Sequence, residues 1–282
     1  MQLSLGTVQF GLAYGIAGRN TPVEPAEVRN ILALAQSAGI ATLDTAAAYG
    51  DIEERLGALC EGFDFQVVSK IPPVPGNLPP LERSAWVAAM VERSRSRLGE
   101  RLCGLMFHQA QDLLGPDADA LWSTALRLTQ QKIALGVSCY STAELDAIGA
   151  RLPVAMAQLP GNAFDQQLVN YRVNATVWVR SAFLQGALLM SADDACSRLP
   201  EGSPWLRAWH VWCQAHGYSP LQAALGLIKG MACADYCVVG VDSAAHLEKI
   251  LAAWQQVPPL VAPELACPLA QVTDPRLWKK HP

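Results

Sequence analysis

Residues 39–57 read GIATLDTAAAYGDIEERLG, and the chain changes character inside them. IATLDT (40–45) is a short apolar run that reaches an acid, Asp44, near its end. Three alanines then lead to a lone tyrosine, Tyr49, and to Gly50. The run is too short for a helix and long enough for a buried strand. The stretch is either an ordinary strand end running into a helix or part of a reaction centre.

Working outward, the same unit recurs along the chain. Further apolar runs are LSLGTV (3–8), FQVVSK (65–70), RLCGLMFH (101–108), KIALGVSCY (132–140), PVAMAQL (153–159), ATVWVRSAF (175–183) and DYCVVGV (235–241). Between them lie helical patterns. PAEVRNILALAQSAG (25–39) places Val28, Ile31, Leu32 and Leu34 on one broad face, and ERSAWVAAMVERSRSRLG (82–99) has a similar stripe. TAELDAIGARL (142–152), SPLQAALGLIKGM (219–231) and SAAHLEKILAAW (243–254) each open at Ser, Thr or a Ser-Pro pair, as an N-terminal cap does. Strands alternating with helices pair in parallel through right-handed crossovers. Eight such units in 282 residues predict a (β/α)8 TIM barrel in one domain spanning 1–282. A doubly wound dehydrogenase sheet is expected to carry GxGxxG after its first strand, and none is present. SADDACSRLPEGSPW (191–205) reads as a long surface loop, and the proline-rich tail (258–282) as irregular.

Composition sets the context. The chain is 51% hydrophobic and 16% charged with a net charge of −4, an ordinary globular profile. No Lys/Arg cluster points to nucleic acid, and no apolar run reaches the roughly 18 residues that a membrane span needs. The N-terminus lacks the basic and apolar regions of a signal peptide. Eight scattered cysteines without a CxxC pair read as thiols in a reducing cytoplasm.

In a (β/α)8 barrel, active sites lie at the C-terminal ends of the strands. The polar residues there are Asp44, Lys70, His108, Ser138, Gln158 and Ser181, with Tyr49 in the loop past Asp44. Each has a plain structural reading: Asp44 as a helix cap, Lys70 as a surface residue, His108 as a satisfied core histidine, Tyr49 as a rim aromatic. Their convergence from three strands on one face points instead to a site.

These residues carry a family resemblance. From Gly6 to about Leu251 the chain resembles the aldo-keto reductases, through LGTVQFG, GIATLDTAAAYGDIEERLG, VVSK, LMFH, GVSCYS, QLPGN, RSAFLQG and VVGVDSAAHLEKIL in family order. The resemblance implies a barrel that binds a nicotinamide dinucleotide without a Rossmann domain, and it places the catalytic positions on Asp44, Tyr49, Lys70 and His108. The expected chemistry is reduction of an aldehyde or ketone, with hydride from the reduced nicotinamide and a proton from Tyr49. In that scheme Lys70 lowers the tyrosine pKa, Asp44 holds Lys70, and His108 bonds the carbonyl oxygen.

The resemblance also implies cofactor contacts. Gly6 and Thr7 lie at the first strand end, Ser138 and Gln158 at the nicotinamide carboxamide, and Ser181, Phe183, Gln185 and Gly186 along the pyrophosphate. Cys139 stands where the family has asparagine, and Arg180 where many members stack an aromatic ring. Basic residues that bind a 2′-phosphate are replaced by Gly240 and His246, and an adenine-contacting asparagine by Ile250. Ser243 and the helix it opens remain available for phosphate, with Asp242 an unhelpful charge and Lys249 one step off the usual place. NADP(H), the default that the resemblance implies, is weakened by these departures but stays ahead of NAD(H). Val8, Phe10, Tyr14 and Phe107 are candidates to line the carbonyl pocket. Trp205, Trp209 and Trp212 form a stripe that reads as core packing, a lid or a substrate wall. Cys213 and His216 have metal-like spacing but no further ligand set, so no metal is assigned. The alternative to an enzyme is a non-catalytic, cofactor-binding regulatory subunit of the same fold.

Overall fold

In the computed structural model, which describes residues 1–16, 21–129 and 132–278, the apolar runs form a closed barrel of eight parallel strands in sequence order. They are β1 (Gln2–Gly6), β2 (Thr42–Asp44), β3 (Gln66–Ile71), β4 (Leu102–Phe107), β5 (Ala134–Ser138), β6 (Met156–Pro160), β7 (Thr176–Arg180) and β8 (Tyr236–Gly240). β1 closes the barrel onto β8, with Gln2 opposite Tyr236 and Gly6 opposite Gly240. Five expected helices appear at Pro25–Ser37, Pro80–Leu98, Thr142–Gly149, Pro220–Lys229 and Ala244–Gln256. The last three are capped by the side chains of Ser141, Ser219 and Ser243, each accepting from the backbone three residues on. The cap of the first of these is thus Ser141, one residue before Thr142.

Strand alternation divides the core. Val67, Ile71, Leu105, Phe107, Ala157, Leu159, Val177 and Val179 face outward into the layer beneath the helices. Val68, Met106, Met156 and Trp178 face inward and form a separate apolar floor inside the barrel. Continuing that inward parity by two residues gives Lys70, His108, Gln158 and Arg180, so the floor and the site are consecutive layers of the same strands.

The structure corrects the reading of 191–205. This segment is helical at Ala192–Arg198, capped by Ser191, and the next helix, Ser203–His216, starts inside it with proline in its first turn. Ala195 and Cys196 are buried, so the segment is held by packing that its Asp- and Pro-rich sequence conceals. These helices and the tail build a second apolar cluster with Phe164, Leu188, Trp209, Leu265 and Val272. The tail has only single helical turns, yet it is pinned: Leu260 N donates to Gly226 O at 2.8 Å and Cys267 N to Phe164 O at 2.9 Å. Residues 279–282 of the tail lie outside the described residues. The tryptophan stripe is core packing. Trp209 is fully buried and donates to Leu188 O, and Trp212 donates to Glu264, with Trp205 packed partly buried beside them. His216 stacks on Trp212 with ring centroids 4.1 Å apart. All eight cysteines are free thiols. Among the described residues no helix is long and apolar enough to cross a membrane.

Candidate active site

Asp44, Lys70 and Gln158 meet at the barrel mouth. Lys70 Nζ donates to both carboxylate oxygens of Asp44 (2.7 and 2.9 Å) and to Thr45 O (2.9 Å), so its three protons all have acceptors. Gln158 Nε2 adds a bond to Asp44 Oδ1 at 2.8 Å. Lys70 is 1% exposed and Asp44 5%. Burial pulls the Lys70 pKa down and Asp44 opposes it by charge and hydrogen bonding. An ammonium this deep is tolerated because it is paired and fully bonded.

Tyr49 is raised to this cluster by a turn. Thr45 N donates to Val68 O, Ala47 N to Lys70 O and Tyr49 N to Ala46 O, so the loop continues the β2–β3 ladder before it bends. Gly11 permits the close approach of the loop after β1: a Cβ there would lie 2.2 Å from Tyr49 O. The helix Ile52–Leu59 that follows is anchored by Glu53, a buried carboxylate that accepts from Ser69 (2.6 Å) and Ser94 (2.8 Å) and lies 3.6 Å from Arg97. Ser69 precedes Lys70, so one acid ties the tyrosine's loop to the lysine's strand. Lys70 Nζ stands 5.5 Å from the centre of the Tyr49 ring, and the ring meets His108 edge-on at 6.0 Å. His108 is set one residue beyond β4 by its N–H bond to Ile71 O.

The electrostatics depart from expectation at Tyr49. Its phenol is raised above the ordinary tyrosine value, first by burial and then by the Asp44 charge; Arg180 is the cation that opposes this. The Asp44 carboxylate, bonded to Lys70 within 3 Å, acts on the phenol in the sense opposite to an ammonium. Tyr49 is therefore a protonated phenol at neutral pH. His108 is pushed down to about 3 by burial, with Lys70 and Arg180 adding, so it is neutral; its Nδ1 is buried with no partner among the described residues.

Arg180 rises from the end of β7 and lies over the Tyr140 ring at 4.1 Å. It donates to Cys139 O (3.2 Å) and Ser181 Oγ (3.4 Å). Arg276 of the tail shares the same ring at 3.3 Å while bonded to Asp274. Ser138 ends β5 opposite Gln158, and burial pushes the neighbouring Cys139 thiol up to about 12. Tyr14, exposed at the rim, has its phenol raised above the ordinary value, chiefly by desolvation of its inner face; Tyr49 and Tyr140 add, and Arg180 and Lys70 oppose. Past β7 the loop holds Ser181, Leu184, Gln185 and Gly186 at φ of 65°, 47°, 53° and 96°. Left-handed backbone at three non-glycine residues in so short a loop is strain of the kind found at ligand clamps. Phe183 packs partly buried between the two apolar clusters.

Several expected contacts fall elsewhere. Phe107 faces outward and stacks on Trp122 at 6.2 Å, and Phe10 is wholly buried in the layer beneath the helices, so neither lines the mouth. The parity of β4 decides Phe107: its neighbour Met106 takes the inner face. Val8 opens the short turn Val8–Gly11 and is part exposed. Thr7 Oγ1 donates to Asp44 O, which joins β1 to β2, and Gly6 sits opposite both Asp44 and Gly240. The space over Gly240 is filled by Gln9, whose carboxamide lies about 2.5 Å from where a Cβ would be, with Oε1 buried and without a partner among the described residues. Ser243 accepts from His246 N as the cap of Ala244–Gln256, and Glu27 reaches across from Pro25–Ser37 to accept from Ala244 N at 2.7 Å. The helix end expected to be open to phosphate already holds a carboxylate. Ile250 is buried. Gln9, Glu27, Glu53, Tyr140 and Arg276 escaped the sequence reading. Gln9, Glu53 and Tyr140 lie inside the stretches LGTVQFG, DIEERLG and GVSCYS, whereas Glu27 and Arg276 left no signal there.

Comparison with known proteins accords with this geometry. The model of the Aldo/keto reductase family matches residues 2–266. A protein of Pseudomonas aeruginosa assigned to the aldo-keto reductases is 25% identical, covering 90% of this chain and 89% of its own, with a TM-score of 0.60. A glycerol dehydrogenase from Gluconobacter oxydans (20% identical, 93% and 88% covered, TM-score 0.66) and an aldo-keto reductase from Bacillus halodurans in its holo form (18%, 99% and 92%, 0.70) share the fold. No curated protein sequence matches.

Proposed function

The chain belongs to the aldo-keto reductase family of oxidoreductases, and on that premise we propose that it reduces an aldehyde or ketone to an alcohol at the Asp44–Tyr49–Lys70–His108 cluster. The observation that carries this reading is the tethered Lys70 with the Tyr49 ring 5.5 Å away and His108 edge-on to that ring. A nicotinamide dinucleotide would supply the hydride. The residues fit such a group: Ser138 and Gln158 offer polar atoms to a carboxamide, and the strained 181–186 loop presents backbone to a pyrophosphate.

The chain's own part is proton transfer and charge placement. Tyr49 holds a proton at neutral pH and gives it to the carbonyl oxygen as hydride reaches the carbon, leaving a tyrosinate that solvent reprotonates. Lys70, locked by Asp44 and Thr45, places fixed positive charge beside the ring as that anion forms. Neutral His108 hydrogen-bonds the same oxygen and orients it. The apolar floor below excludes water from the lower barrel, which strengthens each of these interactions.

For the dinucleotide, the sequence favours NADP(H), but Glu27 at the N-terminus of Ala244–Gln256 supports NAD(H). A 2′-phosphate there would meet a carboxylate already seated on the helix end. Side-by-side titration with NADH and NADPH, followed by a panel of aldehydes and ketones, tests the proposal. Binding of one dinucleotide with turnover of some carbonyl supports an enzyme. Tight binding without turnover on a broad panel supports the regulatory-subunit reading.

A further inference from the structure

We propose that Arg180 anchors an anionic group on the substrate, so that the carbonyl reduced here belongs to a molecule also bearing a carboxylate or phosphate. This rests on the reductase reading above and names its substrate class.

Charge pairing at the mouth leaves Arg180 over. Lys70 is paired with Asp44, and Arg276 with Asp274. Among the described residues no carboxylate lies within 4 Å of the Arg180 guanidinium. The acids packed around it are otherwise engaged. Asp165 accepts from Gln167 Nε2 at 3.0 and 3.1 Å, and burial pushes its carboxyl up to about 6. Glu144 accepts from Tyr140 N, Ser141 N and Gln111 Nε2. One full positive charge therefore faces the mouth without a partner.

That charge is also held in place. The stack on Tyr140 and the bonds to Cys139 O and Ser181 Oγ fix the guanidinium plane. They use two of its five N–H donors. Three remain for a ligand, arranged for bidentate bonding to a carboxylate or phosphate. The hydroxyls of Tyr14, Tyr49 and Tyr140 make no hydrogen bond among the described residues and can donate as well. A neutral aldehyde satisfies one or two of these groups and leaves the guanidinium to water. A molecule with a carbonyl at Tyr49 and His108 and an anion at Arg180 satisfies both ends. Arg180 also acts on the reacting groups themselves, opposing the rise of the Tyr49 and Tyr14 phenols and helping to hold His108 neutral. This places it at the reacting end of the site.

A phosphate of the dinucleotide offers the same chemistry, so the test separates the two sources. Matched pairs are compared by kcat/KM: butanal with succinic semialdehyde, and glyceraldehyde with glyceraldehyde 3-phosphate. The wild type is expected to favour the anionic member of at least one pair by about tenfold or more, mainly in KM, as one charge-assisted bond implies. Added salt should erode that preference, a readout that needs no variant. Arg180→Met should abolish the preference and Arg180→Lys restore part of it, each ratio being taken at a dinucleotide concentration that saturates that variant. Equal use of both members by the wild type, or a preference that survives Arg180→Met, overturns the proposal. So does Arg180→Met weakening the dinucleotide while leaving the substrate ratio unchanged. Should no carbonyl turn over, the reductase reading fails, and calorimetry with 4-hydroxybutyrate and 1-butanol decides the anchor alone. Binding of the acid to wild type and not to Arg180→Met upholds it, and binding to neither overturns it.

Discussion

Val68 and Lys70 stand two residues apart on β3 and face the same interior, yet they do opposite work. The same contrast holds for Met106 and His108, Met156 and Gln158, and Trp178 and Arg180. The lower member of each pair packs in an apolar floor; the upper member bears a charge or a hydrogen-bonding group. The floor stabilises the barrel, and the mouth uses the low-dielectric setting that the floor creates. Burial is the leading cause of the shifts at Tyr49, Lys70 and His108.

Substitutions in the two layers should therefore separate stability from chemistry. The largest effect is expected at Lys70→Met, which strands Asp44 and removes the fixed charge. Carbonyl reduction should fall about 10²- to 10⁴-fold, and stability by about 3–5 kcal/mol. Denaturant melts and turnover read the two losses, and the double variant with Asp44→Asn should recover stability without activity. Met156→Ala in the floor should cost about 2–5 kcal/mol in the same melts while kcat per folded molecule stays unchanged. A collapse of kcat there would erase the distinction between the layers. Away from both, Glu27→Gln should raise affinity for NADPH relative to NADH about tenfold, roughly 1.4 kcal/mol, in paired titrations. An unchanged ratio would separate the helix end from dinucleotide choice. The smallest effect is an absence of one: with His108 neutral down to about pH 3, kcat/KM should carry no histidine inflection between pH 5 and 8. An inflection near 6.5 that vanishes in His108→Asn would contradict a neutral imidazole.

The barrel was legible because each strand is a short apolar run closed by a polar residue, and the mouth because those closing residues are Asp44, Lys70, His108 and Gln158. What the sequence conceals is direction and reach. FQVVSK and RLCGLMFH do not say which neighbour turns inward, so Phe107 looks like a pocket wall until the register puts Met106 there. Glu27 and Ala244 are 217 residues apart, and Arg276 meets Tyr140 across nearly half of the chain; no local pattern reports such contacts. The segment 191–205 hides a helix because its buried Ala195 and Cys196 are too small to make a visible stripe. The expectation that Lys70 lowers the Tyr49 pKa gave Asp44 only the task of holding Lys70. In the structure burial and the Asp44 charge both raise the phenol, and Arg180 is the cation that opposes them.

The most direct test of Tyr49 as proton donor is the loss of reduced-nicotinamide absorbance in wild type and Tyr49→Phe, each at dinucleotide saturation fixed by titration. Equal dinucleotide affinity with a kcat at least about a hundredfold lower in the variant is the predicted result. Retention of more than about a tenth of kcat, where a proton donor's loss should cost about 10²-fold or more, would contradict it.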